Sequence, residues 1–298
     1  MSNKFKILFL INPISGVGKK KIIPTYIDKY LNKQKFDYRI AYTQYRQHAH
    51  QLALDGKAKY DIIVAIGGDG TVNEVGSALV HSNCALAIIP TGSGNGFAHH
   101  LKIPKKIKQA ILTINNYHVI TVDTGIVNQK VFIGTCGFGF DAHIAKKFDE
   151  YHKRGLMSYV KLIRKEFKTY QPKSYIVTIG NTIKKFNAFM FCVANSSEFG
   201  NGFVISPNSN LQDGIFENIT LNKFKFKEVF KLGRQIFGRT IDKSIHFNCF
   251  TTQSDYQIEI LEQDAVIYHI DGEYLQSDTN KFNIKIDSQS LKVVCYSK

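Results

Sequence analysis

Gly67-Gly68-Asp69-Gly70-Thr71 places a carboxylate inside a glycine turn, a combination able to handle phosphate. The apolar run Ile62 to Ile66 ahead of it reads as a buried strand, and Val72, Val75 and Leu79 behind it recur at helical spacing. The spacing predicts a strand-to-helix turn with a helix opening at Val72. Glycines let the backbone come close to a ligand, and a helix start offers unpaired N–H groups and the positive end of its dipole, which suits an anion. A carboxylate beside a polyphosphate is repelled unless a cation or a proton stands between. Asp69 therefore points to Mg²⁺ or to a hydroxyl being deprotonated, which is kinase chemistry. The plainer alternative is a tight turn, because Asp and Gly dominate turns.

Two more turns of the same kind occur in the first hundred residues. The strand-like Lys6 to Ile11 leads into Asn12-Pro13-Ile14-Ser15-Gly16-Val17-Gly18-Lys19-Lys20, followed by Ile22, Ile23, Tyr26, Ile27 and Tyr30 at near-helical spacing. This is not a P-loop, because Gly-x4-Gly-Lys-Ser/Thr is missing, nor a dinucleotide fingerprint, because Lys21 stands where the third glycine belongs. Leu86 to Pro90 then leads into Thr91-Gly92-Ser93-Gly94-Asn95-Gly96-Phe97-Ala98.

Taken in this order and spacing, NPISG, GGDGTVNE and PTGSGNGFA resemble the diacylglycerol kinase and sphingosine kinase superfamily of lipid kinases. Later segments extend the resemblance: Gly137 to Ala142, Asn195 with Gly200 and Gly202, Leu211 to Ile215, and Ile270-Asp271-Gly272-Glu273. GGDGT also occurs in NAD kinases, but the NPxSG opening and the PTGSGN loop favour the lipid branch. One departure stands out. Bacterial members usually carry Gly-Thr-x-Asn-Asp in the third loop, whereas Gly96 stands here in place of the last Asp.

The resemblance implies an α/β architecture with a Rossmann-like parallel-sheet domain followed by a β-rich sandwich. ATP and Mg²⁺ are the implied cofactors and a membrane lipid the implied acceptor. The amides of Gly67, Gly68, Asp69, Gly70 and Thr71 and of Gly92, Ser93 and Gly94, with Asn95 in the same loop, are candidates for cradling ATP; family matches add Asn12, Thr43 and Glu74. Asp271 matches the proton acceptor of bacterial relatives, whereas sphingosine kinases credit the aspartate that corresponds to Asp69. Asp271-Gly272 between two β-type runs also reads as a type I′ hairpin turn. Bacterial relatives hold a structural Mg²⁺ on the segment that maps to Asn210, Asp213 and Ile215, and oxygen ligands suit that ion.

The chain of 298 residues, 44% hydrophobic, is long enough for two cores. Residues 1–125 are expected to form the nucleotide-binding α/β domain, 126–290 the lipid-substrate β-sandwich, and 291–298 a tail returning to the first domain. Strand and helix patterns alternate up to about Thr124. Beyond it Lys130 to Ile133, Tyr175 to Ile179, Ala188 to Ala194, Ile258 to Leu261, Phe282 to Ile286 and Leu291 to Tyr296 read as short strands of an antiparallel sandwich or barrel. Five scattered cysteines without a Cys-x-x-Cys pair read as buried apolar residues in a reducing compartment. The sequence has no run of eighteen apolar residues and no leader pattern, so a cytoplasmic protein is expected.

A net charge of +15 exceeds what an ATP pocket calls for. Between Lys146 and Lys173 nine Lys or Arg stand against Asp149, Glu150 and Glu166, interleaved with apolar residues at partly helical spacing. Such a segment either lies on an anionic membrane as a peripheral contact or forms a solvated basic face. Nucleic acid is not an expected partner, since no helix-turn-helix, zinc-finger or RNA-stacking motif is present. The choice between monomer and homodimer stays open. The reading is an ATP- and Mg²⁺-dependent kinase acting on a lipid hydroxyl, with diacylglycerol and a sphingoid or ceramide-like acceptor both open; an NAD kinase and a non-catalytic nucleotide or lipid sensor are the rivals.

Overall fold

A computed structural model describes residues 4–15, 22–150, 156–261 and 266–296, with backbone alone at 156–160. The chain divides into two compact units, Met1–Asp123 with Ser288–Lys298, and Thr124–Asp287. Strands and helices alternate at first: β1 (Phe5–Ile11), α1 (Ile23–Tyr30), β2 (Phe36–Tyr42), α2 (His48–Gly56), β3 (Ile62–Gly67), α3 (Asp69–Leu79), β4 (Ala85–Pro90), α4 (Gly96–His100), α5 (Ile107–Asn116) and β5 (Val119–Val127). After that come β6 (Lys130–Phe132), β7 (Thr135–Gly139), α6 (Phe140–Glu150), α7 (Leu156–Glu166), β8 (Lys173–Ile179), β9 (Thr182–Ala188), β10 (Met190–Ala194) and β11 (Phe216–Leu221). The chain ends with α8 (Val229–Phe237), β12 (Phe247–Thr252), β13 (Tyr256–Ile260), β14 (Val266–Ile270), β15 (Glu273–Ser277) and β16 (Lys281–Val294).

In the first unit β2, β1, β3 and β4 pair in parallel in that order, with Phe5 opposite Phe36, Ile7 opposite Ile62 and Ile62 opposite Ala85. The end of β16 joins the same sheet, with Val293 parallel to Leu86. Every residue of β3 and β4 is buried, which is why both read as unbroken apolar runs rather than as alternating ones. Because β1, β3 and β4 run the same way, their carboxyl ends and the three glycine turns lie along one edge. α3 begins at Asp69, three residues earlier than the spacing suggests. Extended Gly68 is its N-cap and Asp69 its acidic first residue, a charge that favours the positive helix end.

The second unit is antiparallel. β12, β11, β10, β7, β14 and β15 form one sheet in that order, and β13 pairs with both the start of β16 and β8, which pairs with β9. Phe138, Phe191 and Tyr268 from the first of these sheets share a buried core with Tyr175, Ile258 and Phe282 from the second, the arrangement of a β-sandwich. On the six-stranded sheet a second cluster forms as Cys192, Ala194 and Ile219 meet Leu232 and Ile236 of α8.

The parallel α/β domain and the antiparallel β-rich domain are both as expected, and the differences are in detail. The runs Phe282 to Ile286 and Leu291 to Tyr296 are not separate strands, since both fall largely within β16. Cys249 is exposed, in contrast to the other four cysteines, because it sits on an outward position of β12. In the basic segment Lys146 to Lys173, Leu162 and Phe167 are buried against Phe140, Ile144 and Phe189. The side that turns outward there carries Lys161, Arg164, Lys165 and Lys168, all exposed; residues 151–155 and the side chains of 156–160 lie outside the described residues. No helix among the described residues is long and apolar enough to cross a membrane.

Candidate active site

The glycine turns after β3 and β4 are joined by short polar links to each other and to Asn12 and Ser15, the described start of the first turn. Asn12, at the end of β1, donates from Nδ2 to Thr71 Oγ1 at 3.0 Å, and Ser15 Oγ lies 3.2 Å from Thr91 Oγ1. The N–H groups of Thr91 and Gly92 both donate to the Gly67 carbonyl, at 2.9 and 3.1 Å. Asn95 holds a left-handed backbone and closes its own loop, donating to the Gly92 carbonyl at 2.7 Å and accepting the Gly92 N–H at 3.2 Å. Gly16 to Lys20 lie outside the described residues.

Two glycines in this arrangement answer to space rather than to torsion. A Cβ on Gly92 would stand 2.4 Å from Gly68 Cα, so the second and third turns touch backbone to backbone. A Cβ on Gly67 would stand 2.3 Å from Thr71 Oγ1.

Asp69 is the central link. Its Oδ2 accepts the Asn95 N–H at 2.7 Å and its Oδ1 the Gly96 N–H at 2.8 Å, so the carboxylate ties the GGDGT turn to the first residue of α4. Gly96 uses its backbone for this bond. Glu74 is likewise engaged: its two oxygens accept the N–H groups of Gln47 at 2.8 Å and Ala49 at 3.1 Å and so hold the start of α2. Thr43 is buried and donates its N–H to the Ile11 carbonyl at 2.9 Å, beside the end of β1. Ser93 is exposed, and Gly68, Gly70, Gly92 and Gly94 are partly exposed.

In the second unit Asp271 sits in the turn between β14 and β15, with φ of 49° at Asp271 and 84° at Gly272. Two successive positive angles are those of a type I′ turn, so the hairpin reading of Asp-Gly holds. The side chain nonetheless does more than turn the chain. It accepts the N–H groups of Ile133 at 2.9 Å, Gly134 at 2.7 Å and Thr135 at 2.9 Å, three consecutive donors at the entry to β7.

Behind this turn lies a pair that sequence reasoning missed. His269 Nδ1 accepts the Gly272 N–H at 3.3 Å, which leaves the ring proton on Nε2, 3.1 Å from Asp141 Oδ2. Both side chains are almost fully buried. Burial raises the Asp141 pKa above its ordinary 3.8, and the hydrogen bond from His269 acts against that rise. Gly137 makes room for the pair, because a Cβ there would stand 2.0 Å from Asp141 Oδ2 and 2.2 Å from His269 Nε2. The one available signal was the glycine in Gly137-Phe138-Gly139-Phe140-Asp141. Ser196 was also missed. It is fully buried, and its Oγ has no hydrogen-bond partner among the described residues.

The expected metal residues form a surface turn ahead of β11. Asn210 Oδ1 accepts the Gln212 N–H at 3.2 Å, Asp213 Oδ1 accepts the Ile215 N–H at 3.0 Å, and both side chains are exposed. Nearby Glu217 accepts from Ser209 Oγ at 3.2 Å. Burial first, and then the charge of Asp213, push the Glu217 pKa above its ordinary 4.5.

Comparison with known proteins places these units. Residues 6–127 match the diacylglycerol kinase catalytic domain, and residues 134–295 match the YegS C-terminal NAD kinase beta sandwich-like domain. The Bacillus subtilis (strain 168) protein YtlR is 25% identical over 308 residues, covering 96% of this chain and 98% of its own. A diacylglycerol kinase of the same organism is 25% identical over 280 residues, covering 89% of this chain and 88% of its own. The crystal structure of a diacylglycerol kinase from Bacillus anthracis str. Sterne has the same fold, with a TM-score of 0.73 at 22% identity over 99% of this chain and 98% of that one. The linked glycine turns lie in the part matched by the diacylglycerol kinase catalytic domain, the antiparallel sandwich that follows in sequence makes the chain a member of the YegS C-terminal NAD kinase beta sandwich-like family, and the protein is a kinase.

Proposed function

We propose that the protein transfers the γ-phosphoryl group of ATP to a hydroxyl of a membrane lipid, with diacylglycerol as the first acceptor to test. The observation that carries this reading is the meeting of the two glycine turns after β3 and β4 with Asn12 and Ser15 at the carboxyl ends of parallel strands, with backbone touching backbone at Gly68 and Gly92. Ligands of open α/β sheets bind outside those strand ends.

In this reading the amides of Gly67 to Thr71, Ser93 and Gly94 take the phosphate oxygens, while the Gly92 N–H, already held by the Gly67 carbonyl and Asn95, fixes the shape of the loop. The hydroxyls of Thr71 and Ser93 add donors, since Thr71 Oγ1 accepts from Asn12 and keeps its own hydrogen to give. Asp69 acts by holding the third turn against the second, and Asn12, Thr43, Glu74 and Asn95 hold the edges of the same cradle. Asp271 takes the proton of the acceptor hydroxyl as the new O–P bond forms and the bond to the β-phosphate oxygen breaks. The three backbone donors aim it and His269 steadies its turn.

Oxygen donors suit Mg²⁺, and Asp213 with the carbonyls of Asn210 and Ile215 would hold one ion. Asn210 and Asp213 stand exposed in one surface turn, within reach of an ion from solvent. A bound Mg²⁺ supplies positive charge against phosphate and carboxylate oxygens.

Purified protein given γ-labelled ATP, Mg²⁺, NAD and vesicles containing diacylglycerol, a sphingoid base or ceramide should place label in a lipid. Label appearing in NAD instead would overturn the acceptor class. Nucleotide binding with no turnover on any acceptor would make the protein a sensor.

A further inference from the structure

α8 is apolar on two sides. Leu232 and Ile236 face inward onto the six-stranded sheet. On the outer side Phe230 is 80% exposed and Phe237 61%, and Phe226, in the turn that leads into the helix, is 42% exposed. Positions 226, 230, 233 and 237 follow the i, i+4, i+7, i+11 spacing of one helical stripe. Gly233, the third member, has open space where a Cβ would be. An ordinary solvated face does not carry exposed phenylalanine at two helix positions and again in the turn that leads into the helix.

Charge flanks the stripe. From Lys223 to Lys243 seven basic residues stand against Glu228 and Asp242. Lys227, Lys231 and Arg234, each one residue past a member of the stripe, are exposed. Glu228 accepts the Lys225 N–H at 2.8 Å and lies 3.4 Å from His246, and with Asp242 it leaves the stretch with five more basic than acidic residues, seven against two. The same surface continues into the basic segment described above: the Arg164 guanidinium lies 5.7 Å from the Phe226 ring centre, and Phe226 is in ring contact with Phe167 at 6.4 Å.

We infer that the outer face of α8 docks on an anionic lipid surface, with Phe230 and Phe237 entering the headgroup–acyl boundary and Lys227, Lys231 and Arg234 against lipid phosphates. A helix with bulky apolar residues on one side and Lys and Arg beside them has the chemistry of an interfacial anchor. The proposal rests on the lipid-kinase reading for its purpose, since a lipid acceptor must be met at a membrane. It also separates two roles: the segment from Lys161 to Lys168 offers charge with its apolar side chains turned inward, whereas α8 offers the apolar group that inserts.

The sequence contains no tryptophan, so Phe230→Trp supplies a sole indole at the centre of the stripe. On vesicles of phosphatidylcholine mixed with phosphatidylglycerol its emission should shift to the blue, and acyl-brominated lipid should quench it. Phosphatidylcholine alone should give little change, and high salt should reverse the shift. In cosedimentation, Lys227→Gln, Lys231→Gln and Arg234→Gln together should weaken partition about a hundredfold, and Phe230→Ser with Phe237→Ser about tenfold or more. An unshifted emission on anionic vesicles overturns the proposal. A blue shift without vesicles that grows with protein concentration also overturns it and makes the face a contact between copies. The vesicles contain no diacylglycerol and no ATP is added, so failure there counts against this face alone. Phosphorylation of a short-chain diacylglycerol dispersed as monomers tests the kinase reading by itself, and both sets of variants should retain it.

Discussion

Asp69 and Asp271 perform the same structural act in the two units and are supported in different ways. Asp69 accepts two backbone N–H groups from a turn 26 and 27 residues further on, and the approach it secures is one of bare backbone, Gly68 against Gly92. Asp271 accepts three N–H groups from residues 136 to 138 positions earlier, and the turn that carries it leans on the buried His269–Asp141 pair. One clamp is built from glycines close in sequence. The other is built from side chains that only the folded sandwich brings together.

The largest expected effect breaks the comparison at its chemistry. An Asn at either position keeps the size of the side chain but turns an NH₂ group towards backbone donors. Both Asp69→Asn and Asp271→Asn should therefore lose about 1 to 3 kcal/mol of stability by thermal or urea unfolding. At temperatures well below the transition, Asp271→Asn should lower kcat by about 10² to 10⁴, the usual cost of losing a proton acceptor. Asp69→Asn should act mainly on ATP affinity, because in the proposed function its loops take the phosphates. A fall in kcat confined to Asp69→Asn would move the base to the first unit.

Next in size are the glycines. Gly92→Ala drives a Cβ to within 2.4 Å of Gly68 Cα, and overpacking against backbone of this kind should cost about 3 kcal/mol along with most ATP binding. Gly272→Ala meets open space and suffers only from its φ of 84°, so about 1 kcal/mol is expected. A loss at Gly92 no larger than that at Gly272 would show that the contact with Gly68 relaxes at little cost.

These contrasts explain what was legible in the sequence. The first unit's site can be read because glycine and apolar runs are local signals: a buried parallel strand ends, a turn must bend, a helix begins. Even so the apolar spacing misplaces the start of α3 by three residues, since Asp69, Gly70 and Thr71 lack apolar periodicity although they already lie in its first turn. β16 reads as two strands for a similar reason. Its middle, Asp287 to Ser290, is polar, and Gln289 with φ of 47° shifts the inward alternation from Phe282 and Ile284 to Leu291 and Val293. His269 and Asp141 have no local pattern to betray them, because 128 residues separate the two halves of one hydrogen bond. The outer stripe of α8 is equally silent, since phenylalanine at helical spacing reads as core until the other face is seen to be buried.

A smaller effect tests the loop before β11. Burial and the neighbouring Asp213 raise the Glu217 pKa in the folded chain, so the folded state takes up a proton before the unfolded chain does. Stability should rise as pH falls through the raised value and level off below the ordinary 4.5, where both states are protonated. Glu217→Gln should be the more stable protein near neutral pH and should lose that advantage in acid. With Mg²⁺ at Asp213 the wild-type slope should shrink; a slope indifferent to Mg²⁺ would remove the ion from this loop.

The finest test returns to the close approaches in the two units, because they differ in what stands in the way. At Gly92 the obstacle is the Cα of Gly68, which no side-chain change can remove. At Gly134 an added Cβ would lie 2.9 Å from Ser196 Oγ and 3.1 Å from Asp271 Oδ1, so the nearer obstacle is a side-chain atom, and one with no hydrogen bond to lose among the described residues. Ser196→Ala should leave stability unchanged or raise it by up to about 1 kcal/mol, since a buried hydroxyl without a partner contributes nothing to hold it there. Gly134→Ala should lower stability, and adding Ser196→Ala should restore part of the loss, with a coupling of about 1 kcal/mol in a double-mutant cycle. If Gly134→Ala proves as costly in the Ser196→Ala background as in the native chain, the obstacle is the clamp on Asp271, and the second unit would be as tightly fixed by its backbone as the first.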